Sequence, residues 1–264
     1  MATHYSINSI IFANIWVFTK IIFLNLAMNI ALVGYGKMGK SIEKLAIERG
    51  HEISAIIDLN NKKKLFELSP NSTDVVIEFS NPSSAFENIA TCLRQKVPVI
   101  SGTTGWLDQL PEIESICIAQ KGTFLTSTNF SLGANIFFKL NKWLSHVMRQ
   151  FPNYKINIDD THHSQKLDKP SGTAITLAKD IIKNHPSYNK WTLNASKEDH
   201  LKISSFRQAE VTGKHVVNYR SPIDSIKITH EAQSRQGFAL GAVLVAEWIP
   251  DKKGIVTMND FIKI

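Results

Sequence analysis

From Met28 onward the chain alternates between short apolar runs and stretches of helical periodicity. Asn29–Val33 (NIALV) is an apolar run that ends on glycine, and Ile42, Leu45 and Ala46 then recur at helical spacing until Gly50 stops the segment. Ile53–Ile57, Asp74–Phe79, Val97–Ser101 and Thr123–Thr126 read as further strands, with a helical pattern over Pro82–Arg94 between them. This alternation predicts an open α/β sheet, in which ligands bind beyond the carboxyl ends of the strands. Further on, residues 136–148 place apolar side chains at 136, 137, 140, 143, 144 and 147, the pattern of an amphipathic helix packed on a core. Tyr154–Asp159 reads as a strand. Ala174, Leu177, Ala178 and Ile181 mark one face of a helix opened by Ser171-Gly172-Thr173. Pro170 blocks a helix through the intervening residues, so these are expected to form a loop.

The segment 10–26 (IIFANIWVFTKIIFLNL) is the most apolar stretch in the chain, but Asn14, Thr19, Lys20 and Asn25 interrupt it. It falls short of a membrane span, and residues 1–9 carry no Lys or Arg to begin a signal peptide. Met28 leads straight into the first strand and its glycine turn. Residues 1–27 are therefore expected to be non-native upstream sequence read as protein, with a membrane anchor as the competing reading.

Composition narrows the class. With 43% apolar and 20% charged residues among 264, a sizeable core is available and disorder is excluded. The net charge of +7 admits nucleic acid or acidic small molecules without choosing between them. Two cysteines, Cys92 and Cys117, make neither a disulfide framework nor a four-thiolate zinc site, and point to a reducing cytoplasm.

Gly34-Tyr35-Gly36-Lys37-Met38-Gly39 is a G-x-G-x-x-G turn between strand and helix, with Asp58 closing the next strand 22 residues after Gly36. Gly34 permits the tight turn, Gly36 the approach of a pyrophosphate, and Gly39 the close packing of helix on strand. The helix amino terminus offers unpaired N–H groups to the phosphates. Asp58 would accept from ribose hydroxyls and so favours NADH, although Lys62, Lys63 and Lys64 could neutralise the extra phosphate of NADPH. The turns Gly102-Thr103-Thr104-Gly105 and Ser127-Thr128-Asn129-Phe130 follow strands and are candidate walls for the cofactor.

His162, His163 and Lys166 lie within five positions, just before Ser171-Gly172-Thr173. The N–H groups of Gly172 and Thr173, with the two hydroxyls, form a candidate anion cradle. A carboxylate held there would sit close to the histidines and the lysine, an arrangement suited to an acidic substrate that must also receive a proton. Neighbouring histidine side chains diverge and no Cys or Glu spacing completes a zinc site, so no metal is expected. Nothing resembles the G-x-S-x-G elbow of a serine nucleophile.

These motifs carry a resemblance. From Met28 to its end the chain resembles the dihydrodipicolinate (4-hydroxy-tetrahydrodipicolinate) reductase family, through GYGKMG at 34–39, EFS at 78–80, GTTGW at 102–106, NFSLG at 129–133, HHSQKLDKPSGTA at 162–174, SRQGFALGAV at 234–243 and AEW at 246–248. The resemblance implies hydride transfer from NADH or NADPH to C4 of a small cyclic dicarboxylate, with loss of its hydroxyl as water, in lysine and diaminopimelate biosynthesis. It implies that His162 is the proton donor/acceptor and Lys166 its catalytic partner. His163, Ser171, Gly172, Thr173 and Thr104 would hold the substrate. Gly34 to Gly39, Asp58, Gly102, Thr103, Thr104, Ser127, Thr128, Asn129 and Phe130 would line the cofactor. Family members are homotetramers built through a sheet of the second domain, and the alternating segments 202–206, 215–219 and 225–230 are compatible with such a sheet. Three places depart from the family pattern. Lys169 stands for a usual Ala, Asp160 for a usual Glu, and the segment from Arg207 to His215 lacks one glycine and has Glu210 for Asp.

The expected fold is α/β: a Rossmann-type dinucleotide-binding domain (28–130 plus 237–264) with an inserted α+β substrate and tetramerisation domain (131–236). No nucleic-acid or membrane partner is expected. Two rivals stand beside this reading: an aspartate dehydrogenase-like enzyme, and an NAD-binding protein without activity tethered by residues 10–26.

Overall fold

The computed structural model describes residues 27–194, 197–234 and 236–263. Most of the expected upstream segment therefore lies outside the described residues. No helix among the described residues is long and apolar enough to cross a membrane.

Six strands form a parallel sheet: β1 (Asn29–Val33), β2 (Glu52–Ile57), β3 (Val75–Glu78), β4 (Val99–Ser101), β5 (Thr123–Thr126) and β11 (Gly254–Ile255), in the order β11-β5-β4-β3-β1-β2. Its strands are apolar on both sides because helices cover both faces. Ile30 and Leu32 of β1 point to one core, shared with α1 (Lys37–Glu48) and α6 (Gln236–Trp248). Ala31 and Val33 point to the other, under α2 (Pro82–Arg94) and α3 (Leu110–Ala119). Helix α6 thus packs on the first sheet. Glu247 of the AEW motif ties it there, pairing with Arg49 (2.6 and 2.8 Å) and His51 (2.8 Å) beyond the end of α1. Gly241 lets α6 pass so close to Phe130 that a Cβ would stand 1.7 Å from its carbonyl oxygen.

The second sheet is mixed: β6 (Lys155–His162), β7 (Lys190–Leu193), β8 (His200–Arg207), β9 (Gly213–Arg220) and β10 (Ser225–Ala232), in the order β10-β9-β6-β8-β7. Helices α4 (Leu132–Met148) and α5 (Gly172–Asn184) pack on one face of it. A short helix, α7 (Met258–Phe261), follows β11 and opens with a Thr257–Asp260 capping box.

Two expectations need correction. The first concerns β6, which does not stop at Asp159 but runs on through His162, paired with β9 as far as Thr161 and with β8 as far as His162. Pro170 forbids a helix there, but nothing forbids a longer strand. The second concerns α4. The helix buries Ala134, Phe137, Asn141, Leu144, Ser145 and Met148, whereas Ile136, Leu140 and Trp143 are exposed at 40%, 40% and 61%. Only one stripe of a helix can face a sheet, and polar Asn141 sits on it because its amide donates to the Leu177 carbonyl (3.2 Å). Of the apolar positions counted, Phe137 and Leu144 lie on the buried stripe, while Ile136, Leu140 and Trp143 fall on the neighbouring one.

Candidate active site

The carboxyl ends of the parallel strands open on two adjoining clefts. One, of about 360 Å³, runs between Asp58 and the Gly34–Gly36 turn. The other, of about 340 Å³, continues past Gly36, Lys37 and Met38 to Gly102, Thr103 and Thr104. Gly34 has φ +92° and Gly39 faces the Gly34 carbonyl so closely that a Cβ would stand 2.4 Å from it. Gly36 differs, since a Cβ there would meet nothing within 4 Å. No side chain caps the amino end of α1. An open helix terminus behind an empty glycine position fits a dinucleotide pyrophosphate. Asp58 closes the far end, its Oδ1 accepting from Asn60 N (2.8 Å).

Glu78 of the EFS motif builds the near end. It is buried at the tip of β3 and accepts from Ser101 Oγ (2.6 Å), Thr103 Oγ1 (3.0 Å), Ser80 N (3.0 Å) and Ser80 Oγ. One carboxylate thus holds the two turns that follow β3 and β4, leaving Thr104 exposed at the cleft. In the turn after β5, Ser127 Oγ donates to the Asn129 carbonyl (2.9 Å), Thr128 is exposed, and Phe130 is buried against Phe79. The Phe130 ring therefore belongs to the core, and only its backbone is placed to meet a ligand.

The second centre lies at the end of β6. Alternation along this strand buries Ile156, Ile158, Asp160 and His162 on one face. His163, the first residue beyond the strand, is half-buried. His162 Nε2 lies 3.0 Å from Asp160 Oδ1 and 3.2 Å from His215 Nε2, and its Nδ1 lies 3.3 Å from the Thr212 carbonyl. Asp160 also accepts from Ser171 Oγ (2.7 Å) and Ser171 N (2.9 Å), which draws the amino end of α5 onto the strand. Ser171 Oγ in turn caps α5 through Ala174 N (3.2 Å). The Ser171 hydroxyl is thus committed within the protein, while Gly172 is exposed and Thr173 half-buried at the helix mouth. Burial alone would raise the Asp160 carboxyl, but hydrogen bonds from His162, His215 and Ser171 outweigh it and hold the group far below the carboxylate range.

Lys166 sits on the loop after β6 and pairs with Asp168 (2.8 Å). Arg207, at the end of β8, clamps that loop by donating to the carbonyls of Lys166 (3.1 Å) and Asp168 (2.5 Å). A row of rings links this centre to α4: His162 to His215 (5.1 Å), His215 to His230 (6.5 Å) and His230 to Phe137 (5.8 Å).

Asp160, His162 and His215 each place one possible ligand atom within 4.8 Å of the others. The same contacts are accounted for by hydrogen bonds to the Asp160 carboxylate. Sequence spacing could not reveal the cluster, because His215 arrives by strand pairing, opposite Asp160 in the β6–β9 ladder. Glu78, Asp160, Arg207 and His215 are the contributors that carried no assigned role in the sequence.

Comparison with known proteins identifies the family. Residues 28–130 match the family description "Dihydrodipicolinate reductase, N-terminus" and residues 133–262 match "Dihydrodipicolinate reductase, C-terminus". A 4-hydroxy-tetrahydrodipicolinate reductase of Christiangramia forsetii is 47% identical over 88% of this chain and 97% of its own length. Another so named, from Archaeoglobus fulgidus, is 31% identical over 89% of this chain and 100% of its own length. Among solved structures, a dipicolinate-bound dihydrodipicolinate reductase of Paenisporosarcina sp. TG-14 superposes with a TM-score of 0.73 at 23% identity, covering 90% of this chain and 100% of that one. With both halves matched in order along one chain, this protein belongs to the dihydrodipicolinate reductase family.

Proposed function

We propose that this oxidoreductase reduces 4-hydroxy-tetrahydrodipicolinate to tetrahydrodipicolinate with loss of water, using NADH or NADPH, in lysine and diaminopimelate biosynthesis. The observation that carries the reading is the convergence of a buried imidazole, His162, with the amino end of α5 on one carboxylate, Asp160. A proton-handling group and an anion-binding helix terminus are what reduction of a dicarboxylate requires besides hydride. Gly34–Gly39, Asp58, Gly102–Thr104 and the Ser127–Phe130 turn would hold the reduced dinucleotide, which when bound would supply the hydride. His162 and Lys166 supply the proton. Thr104, His163, Ser171, Gly172 and Thr173 hold the substrate carboxylates, Ser171 through its place at the helix mouth. The two-domain division at residues 131 and 237, a homotetramer joined through the five-stranded sheet and a cytoplasmic location belong to the same reading.

The test uses protein beginning at Met28, with the unstable substrate generated in place from pyruvate and aspartate semialdehyde by its synthase. NADH and NADPH oxidation are followed separately. Oxidation that depends on the synthase is expected. No oxidation with NADH binding intact would overturn the substrate and leave the nucleotide site standing.

Two variants test the binding assignments. Asp58→Ala is expected to weaken NADH more than NADPH, because its carboxylate repels a 2′-phosphate as well as accepting from ribose hydroxyls. Equal losses in fluorescence titrations would remove Asp58 from the ribose. Thr173→Val keeps the shape of the side chain at the α5 mouth and removes its hydroxyl. Substrate KM is expected to rise by about ten-fold, the worth of one hydrogen bond to a charged group. An unchanged KM would displace the carboxylate from this terminus.

A further inference from the structure

We propose that Asp160 and His215 are positioning residues for the reaction. Together they hold the His162 ring in one orientation and lock it to the amino end of α5, so that one buried carboxylate aligns both the proton donor and the substrate cradle. This role rests on His162 being the proton donor.

Asp160 is fully buried, yet it is on a face that is otherwise apolar as far as Ile158. A buried carboxylate is tolerated only when its lone pairs are satisfied. Here Oδ1 meets Ser171 Oγ, His162 Nε2 and His215 Nε2 at 2.7, 3.0 and 3.2 Å. Oδ2 accepts from Ser171 N (2.9 Å) and Ser205 Oγ (3.1 Å). A carboxylate offers about four acceptor sites, so none is left for substrate or water. Asp160 can therefore orient other groups but cannot itself exchange a proton with the substrate.

The two nitrogens of His162 are unequal. Nε2 is held by Asp160 Oδ1 at 3.0 Å, with His215 Nε2, 3.2 Å from the same oxygen, packed beside it. Nδ1 has the Thr212 carbonyl at 3.3 Å, beyond the usual range for such a bond. Asp160 thus anchors Nε2 and leaves Nδ1 as the nitrogen that exchanges a proton. This is the division of labour in any carboxylate–imidazole pair, where one nitrogen is oriented and the other reacts. His215 completes the anchor. It comes from β9, directly opposite Asp160, and its Nε2 also lies 3.1 Å from Ser171 Oγ. Removing either residue frees the ring to turn and lets the helix mouth shift with it.

The experiment is a double-mutant cycle on the full chain. Asp160→Asn and Asp160→Glu are each made alone, and Asp160→Asn is also made in a His162→Gln background. The kcat, substrate KM, NADH affinity and melting temperature of each are measured. Asp160→Asn is expected to lower kcat at least about ten-fold with NADH affinity unchanged, and Asp160→Glu to recover most of it, since the pair survives. In the His162→Gln background Asp160→Asn is expected to cost less than about three-fold more, because the group it orients is gone. The same fold-loss in both backgrounds, or a lowered melting temperature with normal kcat, would mean that Asp160 merely staples β6 to α5, and would overturn the proposal. Should Asp160→Asn not fold, His215→Asn enters the same cycle with the same two outcomes. If His162→Gln itself leaves turnover intact, the proton-donor assignment fails, and the positioning role falls with it.

Discussion

His162→Gln is expected to reduce turnover by roughly 10²–10⁴-fold, the contribution of a positioned general acid, while NADH affinity stays within about two-fold. That loss is about 3–5 kcal/mol of transition-state stabilisation. Glutamine keeps much of the volume and can still donate to the Asp160 carboxylate, so β6 and the mouth of α5 should hold their places. What it cannot do is carry a proton on one nitrogen while the other is anchored. The nucleotide clefts are built from other residues, on the first sheet, so cofactor binding has no reason to change. Steady-state turnover read beside NADH fluorescence titration separates the two effects. Turnover near that of the unaltered protein would remove His162 from the chemistry. A parallel loss of NADH affinity would show instead that the second sheet and the nucleotide clefts are coupled.

Whereas the two-residue β11 carried no reading in the sequence, strands β1 to β5 of the parallel sheet were legible because local rules suffice there. Each strand is an apolar run closed by a turn signal, and Pro82 marks the first turn of α2, where the missing N–H costs nothing. The Gly34–Gly39 turn and the start of α5 at Ser171-Gly172-Thr173 were likewise readable, since a turn or a helix start depends on a few neighbouring residues. The polar architecture of the site was not readable in this way. Asp160 meets His215 because β6 and β9 pair in one register, and Arg207 reaches the Lys166 loop because β8 ends beside β6. Those partners are 55 and 41 residues apart. No periodicity links them. The end of β6 was misplaced for a related reason. Asp160, Thr161 and His162 have no strand-like local pattern, and the ladders with β9, as far as Thr161, and with β8, as far as His162, extend the strand through them. Glu78 was visible within a motif, but its task of holding two turns depends on β3 and β4 lying side by side.

Gly34→Ala and Gly36→Ala are expected to fail in opposite ways, although the two glycines stand two positions apart in one turn. At Gly34 the backbone has φ +92°, and a Cβ would lie 2.1 Å from the Phe79 carbonyl oxygen and 2.7 Å from Ser80 Cα. Those are backbone atoms at the end of β3, where Phe79 N also donates to the Val33 carbonyl (2.8 Å). Neither side can retreat without breaking the ladder between β1 and β3. Strain of this kind belongs to the tail of single substitutions costing more than about 4 kcal/mol. Against a total stability of about 5–15 kcal/mol, the variant should melt far below the parent or yield little folded protein. Gly36 has φ −81° and ψ −157°, open to any residue, and a Cβ there would meet nothing within 4 Å. Gly36→Ala should therefore melt with the parent. The added methyl would stand in the cleft where the pyrophosphate approaches the helix terminus, so NADH affinity should fall by on the order of ten-fold or more. Calorimetry and NADH titration of the pair decide the matter. A Gly34→Ala protein of parental stability would show that the turn can rearrange. Full NADH affinity in Gly36→Ala would place the pyrophosphate elsewhere, since the fold itself gives this position no other reason to lack a side chain.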